Sequence, residues 1–308
     1  CTMWWMLNQA ISRLLNTSLP SMKVCTTIEQ IQSLVSAWKV QGLSVGFVPT
    51  MGNLHAGHLS LLAEAKSQAD RVVMSIFVNP LQFGEGEDFD HYPRTLEQDK
   101  VAIEKVGIDA LFLPTSDTLY PRGLDNQTSI IVPDALTGLW EGAKRPGHFD
   151  GVSTVVYKLF AAVTPDLAIF GQKDYQQLKV IEWMVADLML PVKIVSSPIV
   201  RDENGLALSS RNQYLSTEQR VIAPKLNVVL QNVYLALISG NNNFSALESQ
   251  ATQQLLREGF DAVDYVSICD STTLQNAKLS DSNLVILATA SLGSTRLLDN
   301  LEVSVESS

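Results

Sequence analysis

Strand-length apolar runs recur through the first two-thirds of the chain, and each is followed by a segment whose apolar residues keep helical spacing. Residues 43–48, 71–78, 110–113, 167–170 and 192–195 are nearly continuous in apolar or β-branched side chains. Helices are expected between them near 57–68, 94–106, 151–163 and 175–188. Strands without polar alternation are covered on both faces, and right-handed crossovers lay a helix over the sheet after each strand. The expected fold is therefore α/β, with a doubly wound, Rossmann-like parallel sheet.

Upstream, Thr26 and Glu29 have capping-box spacing, and Ile28, Ile31, Leu34 and Trp38 follow at helical intervals until Gly42 supplies a stop. After Pro198 the rhythm changes to a turn at 202–205, a long helix from Ser216, another at 245–258 and strands near 263–268 and 284–290. Pro224 falls inside the pattern that begins at Ser216, which predicts a late start or a kink there. The expected division is an N-terminal extension (1–22), a Rossmann-like domain (23–197) and a smaller C-terminal α+β lid (198–308).

Composition narrows the function classes. A formal net charge of -10 argues against a general nucleic-acid binder, so any phosphate site must be a local one. The hydrophobic share of 46% belongs to an ordinary globular protein, and no membrane span is expected. Cys1, Cys25 and Cys269 are scattered and form no metal or disulfide pattern, which fits a reducing compartment. Asn8, Gln9 and Arg13 interrupt the apolar core a secretory signal would need, so the first residues read as an extension.

The segment Pro49-Thr-Met-Gly-Asn-Leu-His55-Ala-Gly-His58 falls just beyond the first strand of the βαβ unit and at the next helix's N-terminus, where backbone N–H groups and the helix dipole favour an anion. Gly52 and Gly57 permit close backbone approach, and His55 and His58 can contact neighbouring phosphate oxygens. Zinc is the competing reading of two histidines, but nearby cysteine or carboxylate ligands are lacking. Phe170-Gly-Gln-Lys173-Asp174-Tyr-Gln-Gln177 holds the equivalent place after a later strand, where Lys173 can offer a positive charge and Asp174 can equally be a helix-start carboxylate. Ser209, Ser210 and Arg211 suit a polyphosphate, or simply a polar hairpin. Gln82, after the second strand, can orient a small polar substrate or lie in an exposed turn; the acidic stretch 85–92 beyond it reads as solvated.

Taken in order, PTMGNLHAGH, SIFVNPLQFGEGEDFDHYPRTLEQD, FGQKDYQQ, GLALSSRNQYL and ATASLGSTRLLDN resemble the pantothenate synthetase (pantoate–β-alanine ligase) family, from about Val24 to Val303. The resemblance implies a two-step reaction in which the pantoate carboxylate attacks the α-phosphorus of MgATP, after which β-alanine displaces AMP from pantoyl adenylate. It also implies an ATP site made of Met51, Gly52, Asn53, Leu54, His55, Ala56, Gly57 and His58, with Gly171, Gln172, Lys173, Asp174, Val200, Leu208, Ser209, Ser210 and Arg211. By the same resemblance His58 is the proton donor, with His55, Lys173, Ser209, Ser210 and Arg211 also catalytic. Gln82 and Gln177 hold pantoate, and Gln82 also meets β-alanine.

Magnesium is expected mainly on the ATP phosphates, with Asp99 as its protein contact, and no resident organic cofactor is implied. A cytoplasmic homodimer is implied, with pantoate, β-alanine and ATP as partners and neither nucleic acid nor membrane. Ala56 and Gln172 replace glutamates common in the family. Some relatives carry a fused cytidylate kinase domain; this chain has no Gly-x-x-x-x-Gly-Lys-Ser/Thr loop, so such a domain would lie beyond it. The rival enzyme reading is a nucleotidyltransferase acting on a phosphorylated acceptor, which would recruit further Arg or Lys. A nucleotide sensor without turnover is the alternative from another class.

Overall fold

The computed structural model describes residues 22–305 apart from 85 and 88; the expectations for 1–21 lie outside the described residues. The first sheet contains β1 (Lys23–Cys25), β2 (Val45–Thr50), β3 (Arg71–Ile76), β4 (Ala110–Phe112), β5 (Leu167–Gly171) and β6 (Lys193–Ser197). All its pairs are parallel and the order is β1-β4-β3-β2-β5-β6. From β2 the chain winds outward through β3 and β4, then returns to place β5 on the other side of β2. The crevice beyond the carboxyl ends of β2 and β5 is thus the topological switch point, where ligands of such sheets bind.

Phe47 and Val48 show why the strands read as continuous apolar runs. Both are fully buried, Phe47 in the core shared with Val73, Phe112 and Phe160, and Val48 in the opposite core with Met74, Leu111 and Ile169. Helices α1 (Ile28–Val40), α2 (Ala56–Gln68), α3 (Leu96–Val106), α4 (His148–Val163) and α5 (Tyr175–Asp187) connect and cover the sheet.

Two expectations need correction here. The α1 cap is Thr27, whose side chain accepts from Gln30 N while Gln30 reaches back to the Thr27 amide; the expected Thr26–Glu29 box is one residue out of register. Strand β1 escaped the sequence reading because three residues cannot display a period, and its Val24 is half-exposed at the sheet edge.

The second sheet is antiparallel, in the order β7 (Ala262–Asp270), β8 (Asn283–Leu292), β9 (Thr295–Ser304). Its core is shared with α6 (Thr217–Ile222), α7 (Lys225–Ile238) and α8 (Phe244–Arg257), through residues such as Leu226, Leu230, Leu255 and Ile286. Cys269, Val285 and Leu287 instead pack against Phe149, Tyr175 and Val180 of the first lobe. Burial on both sides explains the unbroken apolar run of β8.

The expected long helix is two helices, with Pro224 at the N-cap of α7, where its missing N–H costs nothing. Thr217–Ile238 is the one stretch among the described residues long and apolar enough to cross a membrane, and Leu226, Val229, Leu230, Val233 and Leu237 within it are buried in the second core. Strand β9 was not anticipated because Arg296, Asp299, Asn300 and Glu302 make it read as a loop. Each has a partner: Glu141, Arg201, the Gln172 and Lys173 carbonyls, and the Tyr175 hydroxyl respectively.

Candidate active site

The loop after β2 passes through left-handed conformations at Gly52 (φ 83°) and Asn53 (φ 51°) before α2 begins. Two histidines make the cap. His55 is the N-cap, its Nδ1 accepting from Gly57 N at 3.1 Å, and His58 Nδ1 accepts from His55 N at 3.3 Å. The three-residue spacing that looked like a ligand pair is therefore also a reciprocal capping box built from imidazoles. Gly57 is required beneath it, since a Cβ there would lie 2.8 Å from His55 Cε1.

Because both Nδ1 atoms accept, the proton of each neutral ring sits on Nε2, and each imidazole offers a donor from the side away from the helix. The rings lie 4.1 Å apart, tilted by 41°. Burial, with Lys173 nearby, pushes His55 down to about 4; burial and the neighbouring His55 push His58 down to about 3. The pair is neutral near pH 7 and ready to donate hydrogen bonds to an anion.

These depressed values have a consequence for stability, and buried His148 is likewise pushed down to about 4, by burial and then by Arg145. On unfolding, all three imidazoles return toward about 6.5 and take up protons that the folded state refuses. Stability is therefore complete above about pH 6.5 and falls as pH drops toward 4. Calorimetry at pH 7, 6 and 5 should show a falling midpoint, with proton uptake on unfolding approaching three at pH 5. A pH-independent midpoint over this range would contradict the neutral-histidine assignment.

One cavity of about 230 Å³ gathers most of the expected residues. Met51, His55, Gly57 and His58 line it from the first loop, and Gly171, Lys173, Asp174 and Gln177 from the segment after β5. Val200, Leu208, Ser209, Ser210 and Arg211 close another side, with Gln82 opposite. Gly52, Asn53, Leu54, Ala56 and Gln172 belong to the same loops but do not line it. The Gln172 and Lys173 carbonyls each accept from Asn300 Nδ2 at 2.9 Å, so β9 steadies the lysine loop. Lys173 Nζ lies 3.3 Å from Asp174, whose half-exposed carboxyl is held below its usual range, against the effect of partial burial, by Lys173 and then Arg211. Ser209 caps the short turn Ser210–Tyr214 by accepting from Arg211 N, which orients the segment carrying the guanidinium.

Gln82 is not an exposed turn residue: it is 8% exposed and ends the one-turn helix Pro80–Gln82. Its Nε2 donates to Met51 Sδ at 3.2 Å and its Oε1 accepts from Asn79 Nδ2 at 3.3 Å. Asn79 is itself held by the Tyr120 hydroxyl at 2.6 Å and donates to the Gly151 carbonyl at 3.1 Å. Sequence reading missed Asn79, Tyr120 and the apolar wall of Val152, Val155, Val156 and Leu159 on α4. That i, i+3, i+4, i+7 spacing is the only signal the wall gives, and it is indistinguishable from a core stripe.

Asp99, expected as a metal contact, lies beneath the loop after β2. It is 3% exposed and does not line the cavity; its oxygens accept from Asn53 N at 3.0 Å, Leu54 N at 2.8 Å and Thr95 Oγ1 at 3.2 Å. Both oxygens are thus engaged in holding the loop's backbone from below. The stretch read as solvated is tied down as well, through Glu87, whose carboxylate meets the Arg145 guanidinium at 2.7 and 2.5 Å. Among the described residues, no group of three or more His, Cys, Asp and Glu side chains could hold a metal ion.

Residues 23–302 match the family model described as pantoate-beta-alanine ligase. This chain belongs to the pantoate–β-alanine ligase family. A pantothenate synthetase of Hydrogenovibrio crunogenus is 55% identical over 284 residues, covering 92% of this chain and 100% of the relative. That of Aeromonas hydrophila is 51% identical over 275 residues, covering 89% and 96%. Among solved pantoate–β-alanine ligases, that of Thermus thermophilus superposes with a TM-score of 0.83 at 43% identity, covering 92% of this chain and all of that one. The Francisella tularensis ligase, solved with β-γ ATP and β-alanine, gives 0.76 at 33% identity, covering 91% and 97%. The fold expected from the sequence, a Rossmann-like parallel sheet with a smaller α+β part, is the fold of these ligases. Ala56 and Gln172, expected from the resemblance to stand in place of glutamates, lie off the cavity lining.

Proposed function

We propose that this cleft joins pantoate to β-alanine at the expense of ATP, through pantoyl adenylate. The observation that carries the reading is the pair of neutral imidazoles whose Nδ1 atoms are spent on the helix cap, leaving two Nε2–H donors in one cavity with Lys173 and Arg211. A pantoate carboxylate oxygen attacks the α-phosphorus, and the bond to the bridging oxygen of pyrophosphate breaks. Charge gathers on the departing oxygens, where preorganised donors stabilise it. The β-alanine amine then attacks the acyl carbon, the bond to AMP breaks, and the amine's proton is released to solvent.

Gln82 and Gln177 bind pantoate's polar groups, Gln82 also meets the amine substrate, and the α4 wall receives pantoate's methyl groups. Magnesium arrives on the ATP phosphates as part of that substrate. Residues 198–308 form the lobe that closes over ATP, bringing Ser209, Ser210 and Arg211 to the phosphates. The working assembly is a cytoplasmic homodimer. The family match over residues 23–302 favours this over nucleotidyl transfer to a phosphorylated acceptor. Oxygen-18 placed in the pantoate carboxylate should appear in AMP, one atom per turnover; AMP free of label would exclude the adenylate route.

Asp99→Asn separates bracing from metal binding. An amide can accept from one of the two loop N–H groups but must face the other with its own donor, so the loop is released. Adenylate formation should fall about tenfold or more while the magnesium concentration for half-maximal rate stays unchanged. A selective rise in that magnesium requirement would return Asp99 to the metal.

A further inference from the structure

The carbonyl of Gln82 ends a one-turn helix and has no partner within it. Its partners come from the first turn of α4 and the residues before it: His148 Nδ1 at 2.7 Å and Arg145 Nη2 at 3.3 Å. Arg145 also places Nη1 3.0 Å from His148 Nε2, while Nε and Nη2 grip Glu87. An arginine can only donate, so His148 Nε2 accepts and its proton is confined to Nδ1, facing the Gln82 carbonyl. The links have a fixed order. Glu87 orients the guanidinium, the guanidinium selects the imidazole tautomer, and the imidazole holds the carbonyl.

Burying this set is costly unless each group is satisfied. His148 is 8% exposed, and the Arg145 and Glu87 side chains are 19% and 26% exposed. A simple packing role would be met by apolar residues. The chain ends instead on the residue whose side chain lines the cavity and spans Met51 of the phosphate loop and the buried Asn79. We infer that Glu87, Arg145 and His148 are positioning residues that fix Gln82 and thereby set the affinity for pantoate. The inference rests on the reading of Gln82 as a pantoate contact.

The test is pantoate-dependent exchange of labelled pyrophosphate into ATP, with KM and kcat measured for His148→Leu, His148→Asn, Glu87→Gln and Gln82→Ala in the full chain. His148→Leu should raise KM for pantoate about tenfold, the scale of one buried hydrogen bond, and leave KM for ATP within about twofold. His148→Asn, whose amide can donate from nearly the position of Nδ1, should restore most of the affinity, and Glu87→Gln should raise KM in the same direction as His148→Leu. Equal pantoate KM in the Leu and Asn variants, or an unchanged KM in His148→Leu while Gln82→Ala is impaired, would overturn the positioning role alone. An unchanged pantoate KM in Gln82→Ala would overturn the Gln82 reading and the inference with it.

Discussion

His58→Ala is expected to slow adenylate formation by roughly two to three orders of magnitude, the scale of removing one preorganised transition-state donor. The variant also loses the acceptor for the His55 amide, so a modest loss of helix stability, about 1 kcal/mol, accompanies it. His58→Gln separates the two effects, because glutamine at this capping-box position can still accept from the N-cap amide. A slow chemical step with a near-native melting temperature in His58→Gln assigns the rate loss to the ring. Wild-type single-turnover rates in both variants would remove His58 from the chemistry.

Gly151→Ala tests the packing that places the acceptor side of the site. Local propensity favours alanine in a helix by about 1 kcal/mol, so secondary structure alone predicts a gain in stability. The structure predicts the opposite, since a Cβ at this position would lie 2.2 Å from the Leu81 carbonyl oxygen, a backbone atom with no rotamer to yield. Helix α4 and the Pro80–Gln82 turn must part, at a cost of about 1–3 kcal/mol for overpacking. Displacing Gln82 by about 1 Å should also lower pantoate-dependent turnover by about a hundredfold. Thermal unfolding and exchange kinetics read the two effects together; a more stable variant with native pantoate KM would show that the contact is not needed.

The parallel sheet was legible because burial on both faces writes itself as continuous apolar runs, and the loops after β2 and β5 could be placed at the switch point before any coordinates. What escaped notice had polar residues satisfied from a distance. Strand β9 looks like a loop until Arg296, Asp299 and Asn300 meet Glu141, Arg201 and the lysine-loop carbonyls more than ninety positions away. Asp99 was expected at the metal through the family resemblance alone; only its two backbone partners reveal the brace. Likewise nothing local in the sequence joins Glu87, Arg145 and His148 to Gln82. The His55–His58 spacing was visible, but its double use as helix cap and donor pair required the direction of each Nδ1.

The site also explains how a chain of net charge -10 can take anionic substrates. Lys173 and Arg211 line the cavity beside Asp174, and the N-terminus of α2 opens on the same cavity, so the groups that attract an anion are local to the cleft.

Pantoate-dependent exchange of labelled pyrophosphate into ATP, in the absence of β-alanine, tests the central claim most directly. The account predicts exchange that requires pantoate, followed by AMP and pantothenate in equal amounts once β-alanine is added. Folded, ATP-binding protein that gives no pantoate-dependent exchange, yet forms pantothenate when all three substrates are present, would contradict an adenylate intermediate made before the amine arrives.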